Sequence, residues 1–292
     1  MGAIRTVLCP VDFSPSTPRQ IELAAELCRL FGARLVLHHN LAAAATAAGV
    51  GWMWAASHPD GRSEAEVERR LRELLAAVPD GLASEARTTR GLPSQAVLAV
   101  QQATAADLVV LTTHGASTEE HTSIAAQILE RASCAVLVLH ELAVEGAAPH
   151  FDAGERAVQV VLVPTDLSAE SLAAVRFAFE LARVLPAELH LLHVAPAARH
   201  ASAADAALAA ESERKLRALV PEDLEYRVHH HVEPGDPATA IARAAERLHA
   251  AYIVMGEHTR SPLRRWLTRD VSRDVLHRAP CPIWYVPGAT AA

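Results

Sequence analysis

Asp12 and Asp166 stand in matching settings. Each follows an apolar run and precedes a serine by two residues, in TVLCPVDFSPS from Thr6 and VVLVPTDLSAE from Val160. A carboxylate where an apolar strand ends is placed to accept hydrogen bonds from a ligand's hydroxyl or amino groups. Farther on, ADLVVLTTHG closes on His114 and Gly115, and AAYIVMGEHT closes on His258 and Thr259. Glycine-bearing turns let backbone N–H groups approach an anion, and the start of the next helix adds unpaired donors and a favourable dipole. Binding of a polar, anionic small molecule is the chemistry these residue types offer. Covalent catalysis lacks its residues: there is no G-x-S-x-G, no G-x-x-x-x-G-K-[ST], and no G-x-G-x-x-G after an apolar run.

The histidines invite a metal hypothesis, because the chain holds 16 of them, with His38-His39 and His229-His230-His231 in runs. Neighbours on a strand point to opposite faces, so a run cannot turn all its rings toward one ion. His229 and His231 can share a face, but spacing alone brings them no cysteine or carboxylate. Satisfied or surface histidines are expected, and no metal site. His114 and His258 are expected to brace the turns they occupy.

The elements that must position Asp12 and Asp166 come in two sets, because the chain repeats itself. RGLPSQAVLAV (Gly91, Pro93) answers PGDPATAIARA (Gly235, Pro237), and ILERASCAVLVL answers VLHRAPCPIWYV. ARLVLHH, ending at His39, answers AELHLLH, ending at His193. Landmarks in one order in both halves indicate duplication. Each half alternates strand-length apolar runs with stretches of helical period. Strands are expected near 4–10, 33–39, 83–89, 107–112 and 134–139, then near 158–164, 187–194, 224–232, 251–255 and 282–286. Helices are expected near 17–31, 63–78, 93–105 and 123–132, then near 169–185, 202–219, 237–249 and 267–278. Ser63 with Glu66 reads as a capping box, and Pro93 and Pro237 fall in first helical turns. Doubly buried strands alternating with helices make a parallel sheet covered on both faces. The domains are expected at 1–141 and 157–292, joined by a linker at 142–156.

Composition narrows the function classes. A formal charge of -7 argues against nucleic acid, which needs a concentrated basic surface. Cys9, Cys28, Cys134 and Cys281 form no C-x-x-C pair, so free thiols in a reducing compartment are expected. The start MGAIRTVLCPVDFS is unlike a secretory leader, and the Ala-rich tract from Leu41 to Ala56 has too few strong hydrophobes to span a bilayer. A soluble, cytoplasmic protein without membrane contact is the expectation. An insert from Ala42 to Gly61 carries Trp52, Met53 and Trp54 and reads as a crevice-mouth or inter-domain contact, or else as a lid or partner surface.

With the strand-end aspartate, the G-x-P helix start, the T-H-G turn and the Ala-Pro-Cys-Pro approach to the last strand in view, the chain resembles the universal stress protein family in its tandem two-domain form. The resemblance covers nearly the whole chain. It implies two doubly wound parallel-sheet domains of α/β class, Rossmann-like and adenine nucleotide alpha hydrolase-like, with strand order 3-2-1-4-5. It also implies intramolecular pairing of the domains through their last strands, with a further homodimer left open. In such a sheet a crevice opens at the carboxyl ends of strands one and four, where the order reverses. ATP-binding members carry G-x-x-G-x9-G-[ST] after strand four. ATP or ADP, with Mg, is therefore the implied ligand, and slow ATP hydrolysis is the most that catalysis would amount to.

Both turns depart from that signature. In the first half Thr112 replaces the first glycine, Gly115 remains, and the closing pair becomes Thr122-Ser123 after a shorter loop. Glu119 and Glu120 are expected inside this loop, where carboxylates oppose a triphosphate, while Ser123 is expected to cap the following helix. In the second half Gly256 remains, Thr259 replaces the second glycine, and the closing pair becomes Arg269-Asp270. Arg260, Arg264, Arg265 and Arg269 surround that turn, as side-chain forks for phosphate or as a solvated or salt-bridged face. The binding set is thus Asp12, Thr112, Gly115, Thr122 and Ser123, with Asp166, Gly256, Arg260 and Arg269 in the second half. Three readings stay open: an adenine-nucleotide-binding stress protein, a scaffold with degenerate pockets, and an enzyme acting on a phosphorylated metabolite through the basic turn.

Overall fold

Both halves begin with a short apolar strand that ends in a proline and breaks into a polar turn. In the computed structural model, which describes residues 4–41, 63–113, 119–140, 158–195, 203–257 and 271–288, the first of these is β1 (Thr6–Pro10). It is followed by α1 (Thr17–Phe31), β2 (Arg34–Leu41), α2 (Glu64–Ala76), β3 (Ser84–Arg90), α3 (Pro93–Thr104), β4 (Leu108–Thr113), α4 (Glu119–Arg131) and β5 (Ala135–His140). The second half supplies β6 (Gln159–Pro164), α5 (Ala169–Val184), β7 (Ala187–Ala195), α6 (Ala203–Arg217), β8 (Val228–Pro234), α7 (Pro237–Arg247), β9 (Tyr252–Glu257), α8 (Val271–Arg278) and β10 (Ile283–Pro287). The chain divides into two compact units, Gly2–Val136 and Leu137–Ala292, with the division inside β5. The expected linker 142–156 and the Trp-bearing insert 42–61 lie outside the described residues.

Strand order follows β3-β2-β1-β4-β5 in the first half and β8-β7-β6-β9-β10 in the second. Both are the doubly wound order 3-2-1-4-5, and β1–β2, β1–β4, β2–β3, β6–β7, β6–β9, β7–β8 and β9–β10 pair in parallel. Val7, Leu8 and Cys9 of β1 and Val161, Leu162 and Val163 of β6 have no exposed surface. Such central strands belong to a parallel sheet covered on both faces. Among the described residues no helix is long and apolar enough to cross a membrane.

Helix ends follow local chemistry. Pro93 and Pro237 open α3 and α7, where a missing N–H costs nothing. Ser63 and Ser168 accept the Glu66 and Ser171 amides, capping α2 and α5. The expected strand from 224 differs: Glu222–Arg227 is a 3-10 turn, and β8 starts only at Val228. Charge in EDLEYR suits a surface turn, and Arg227 is bound to carbonyls instead of pairing as a strand.

The switch point is built by hydrogen bonds that stop early. β1 and β4 register only at Val7↔Leu108 and Leu8↔Val109, so beyond Leu8 the two strands diverge. Gln20, buried on α1, enters the gap: its Nε2 donates to Pro10 O at 2.8 Å and Val110 O at 2.9 Å. One amide therefore satisfies two carbonyls that the ladder has released. Gln20→Leu keeps the volume and strands both acceptors, which costs about 2 kcal/mol. Urea unfolding combined with hydrogen exchange should show β1 and β4 amides losing protection; wild-type exchange rates there would refute the bridge.

Candidate functional site

Asp12 sits immediately past β1. Its Oδ1 accepts the Ser14 N–H at 2.9 Å and the Thr17 hydroxyl at 3.2 Å. This aspartate turn holds Phe13 at φ 60°, a left-handed conformation that a side chain of this size rarely adopts. The second half repeats the device. Asp166 Oδ1 accepts the Ser168 N–H at 2.9 Å and the Ser171 hydroxyl at 2.8 Å, and Leu167 has φ 64°. His39 Nδ1 meets Val11 O at 2.7 Å, and His193 Nδ1 meets Thr165 O at 2.9 Å. The two halves thus share the backbone at the end of their first strands as well as the sheet order.

At the carboxyl ends of β1 and β4 the first half lines a half-open cavity of about 130 Å³. Asp12 and Thr112 both line it, together with His38, Asn40, Val97 and Ile128. An engineered cavity of about 150 Å³ accepts benzene, so this one suits a single flat ring. Its polar wall is a relay. His38 Nε2 lies 2.7 Å from Thr89 Oγ1, which donates to Asn40 Oδ1 at 3.3 Å, and Asn40 Nδ2 donates to Gly91 O at 2.9 Å. With the Thr89 hydroxyl proton given to Asn40, His38 Nε2 is the donor and Nδ1 carries the lone pair. Burial, reinforced by neighbouring His39, lowers the His38 pKa to about 4; the ring is neutral at physiological pH. On this cavity, the buried atoms His38 Nδ1 and Thr112 Oγ1 have no hydrogen-bond partner among the described residues. Buried polar atoms are seldom left so. Sequence patterns singled out Asp12 and Thr112 but passed over His38, because a histidine inside an apolar run gives no sign of which face it occupies.

Thr122 and Ser123 lie on α4, which begins at Glu119. The cap expected of Ser123 is therefore corrected: it stands beyond the first helical residue, inside the element. Glu119 and Glu120 likewise belong to the start of α4 and not to the preceding loop. Gly115, Arg260 and Arg269, with His114 and His258, lie outside the described residues.

Gly256, at the place in β9 corresponding to Thr112 in β4, serves packing. A Cβ there would lie 2.6 Å from Glu170 O and 3.1 Å from Ser171 Cα, at the start of α5. The helix occupies the space that the missing side chain leaves. Three of the four cysteines, Cys9, Cys28 and Cys281, are buried, and all four are free. Burial pushes the thiols of Cys28, Cys134 and Cys281 up to about 12, and that of Cys9 higher still. None is set up as a nucleophile.

Two successive sets of five strands in the order 3-2-1-4-5, each with an aspartate turn at the end of its first strand, define a tandem doubly wound α/β protein. The chain belongs to the universal stress protein family, whose model matches residues 3–140 and 157–287. It is 29% identical over 143 residues to a universal stress protein of Methanocaldococcus jannaschii, covering 46% of this chain and 84% of that one. The crystal structure of a universal stress protein from Archaeoglobus fulgidus resembles it with TM-score 0.65 at 18% identity, over 97% of this chain and 96% of that one. A functionally unknown protein from Pseudomonas aeruginosa has TM-score 0.63 at 17% identity, over 98% and 93% of the two chains.

Proposed function

We propose that this is a cytoplasmic stress-response protein that binds an adenine nucleotide, ATP or ADP with Mg, in the crevice of its first half. The observation that carries the reading is the pair of unpartnered buried atoms, His38 Nδ1 and Thr112 Oγ1, on a cavity sized for a flat ring. A bare imidazole nitrogen accepts from an exocyclic amine, and a threonine hydroxyl can donate to a ring nitrogen. Val97, Leu111 and Ile128 supply the apolar wall a base requires. Asp12 borders the same cavity, and a carboxylate has about four acceptor sites, so the turn and a ribose hydroxyl can share it.

The second half is read differently. The start of α5 fills the position that Gly256 leaves open, which favours a supporting scaffold there over a second equivalent site.

Titration calorimetry on the full chain tests both statements. ADP and Mg-ATP should bind at one site, and Asp12→Ala should weaken binding about tenfold, the value of one lost charge-assisted hydrogen bond. Asp166→Ala removes the same kind of turn from the second half and should leave the affinity at the wild-type value. Absence of heat and of any thermal shift at millimolar nucleotide would end the proposal.

A further inference from the structure

We propose that the edge strands β7 and β8 carry a binding site for a divalent transition-metal ion, formed by Glu188, His190 and His229 and supported by His231. The site lies in the second half and stands independently of the nucleotide reading.

The strands are parallel, with His190 registered on His229 and Leu192 on His231. Alternation along each strand therefore puts Glu188, His190, His229 and His231 on one face, while His230 points to the other. One ligand atom from each of Glu188, His190 and His229 lies within 4.8 Å of the others. Glu188 Oε2 is 3.7 Å from His229 Nε2, and the His190 and His229 ring centroids are 4.6 Å apart. Ligand atoms on one tetrahedral zinc ion sit roughly 3.3 Å apart. Small rotations close the difference, and the side chains of His229 and Glu188, 50% and 46% exposed, have room to make them.

The fourth residue acts through His190. Its Nδ1 lies 2.9 Å from His231 Nε2, which leaves Nε2 of His190 to meet the ion. Metal-bound histidines are commonly held in this way, with the second ring nitrogen tied to a neighbour that fixes tautomer and orientation. His190 is buried. Arg247, whose charge acts on His231, is held in an ion pair with Glu233. Two imidazoles and a carboxylate suit zinc, nickel or copper better than calcium or magnesium, which prefer all-oxygen sets.

The histidine run by itself offered at most two rings on one face. The carboxylate and third ring come from β7, about forty residues earlier, and only the strand register joins them.

Competition between the full-length protein and a chromogenic chelator for Zn²⁺ provides the test, with Co²⁺ absorption as a second readout of coordination. One equivalent should bind, and Glu188→Gln or His229→Asn should each weaken it at least tenfold. Both substitutions are at half-exposed side chains, and thermal melts without metal should match the wild type. His249→Ala, an exposed histidine elsewhere, serves as control and should change nothing. The inference is overturned if no zinc binds at micromolar concentration, or if Glu188→Gln and His229→Asn bind as the wild type does, as diffuse binding by surface histidines would require.

Discussion

Gly256→Ala is expected to destabilise the second half by about 3 kcal/mol or more, at the upper end of what overpacking costs. The added Cβ would meet Glu170 O at 2.6 Å, Glu170 C at 2.9 Å and Ser171 Cα at 3.1 Å. All three are backbone atoms at the start of α5, so no side chain can rotate away. Either β9 or the helix must move, and α5 is packed through Phe177, whose ring lies 5.4 Å from that of buried Trp284. Scanning calorimetry should show the melting temperature falling by roughly 6–12 °C, taking 2–4 °C per kcal/mol for a unit of this size. Hydrogen exchange should accelerate in α5 and β9 while β1 and β4 keep wild-type protection. An unchanged melting temperature would show that the helix does not rest on this glycine.

Gly256 and Thr112 hold matching positions in the two halves and are used differently. Thr112 carries a Cβ where Gly256 has none, and its side chain lines the cavity of the first half. The first half keeps a cavity there, and the hydroxyl that lines it is unpartnered among the described residues. The replacement of the signature's first glycine by threonine reads, in sequence alone, as damage to an anion site. In the fold, the glycine is the packing residue and the threonine is the one facing the cavity.

Much of the architecture was legible because it rests on local rules repeated twice. The apolar runs, Pro93 and Pro237 at helix starts, and the matching Asp-x-Ser turns each have a short-range cause, and duplication let one half check the other. What stayed hidden depends on register or on contacts distant in sequence. Gln20 looks like any polar residue on an amphipathic helix, since its bond to Val110 O spans 90 positions. His38 inside an apolar run could face either side of the sheet. Serine is a good cap, so the sequence points to Ser123 as the start of α4, whereas helical backbone begins at Glu119; acidic residues in a first turn suit the helix dipole equally well.

Arg227 shows the same limit most sharply, and its replacement is expected to have the other large effect. EYRVHHH looks like strand from its β-prone residues, yet Arg227 ends a 3-10 turn and projects its fork into the join between α5 and β7. Nε donates to Ala187 O at 2.9 Å, Nη1 to Ala182 O at 2.9 Å and Nη2 to Leu185 O at 2.8 Å. Ala182 O is in the last turn of α5, whose carbonyls a helix end leaves without partners, and the negative end of the helix dipole favours a cation there; Leu185 O also accepts the Ala187 N–H at 2.9 Å. Bonds to charged groups are worth about 1.5–3 kcal/mol each, though not additively within one side chain. Arg227→Ala should therefore cost the second half roughly 3–4 kcal/mol, read as a lower urea midpoint at unchanged slope. Arg227→Lys separates fork geometry from charge. An ammonium is a single point that cannot reach three divergent carbonyls, so lysine should recover less than half of the loss. If lysine restores full stability, charge near the helix end is the cause and the three-point fork is not.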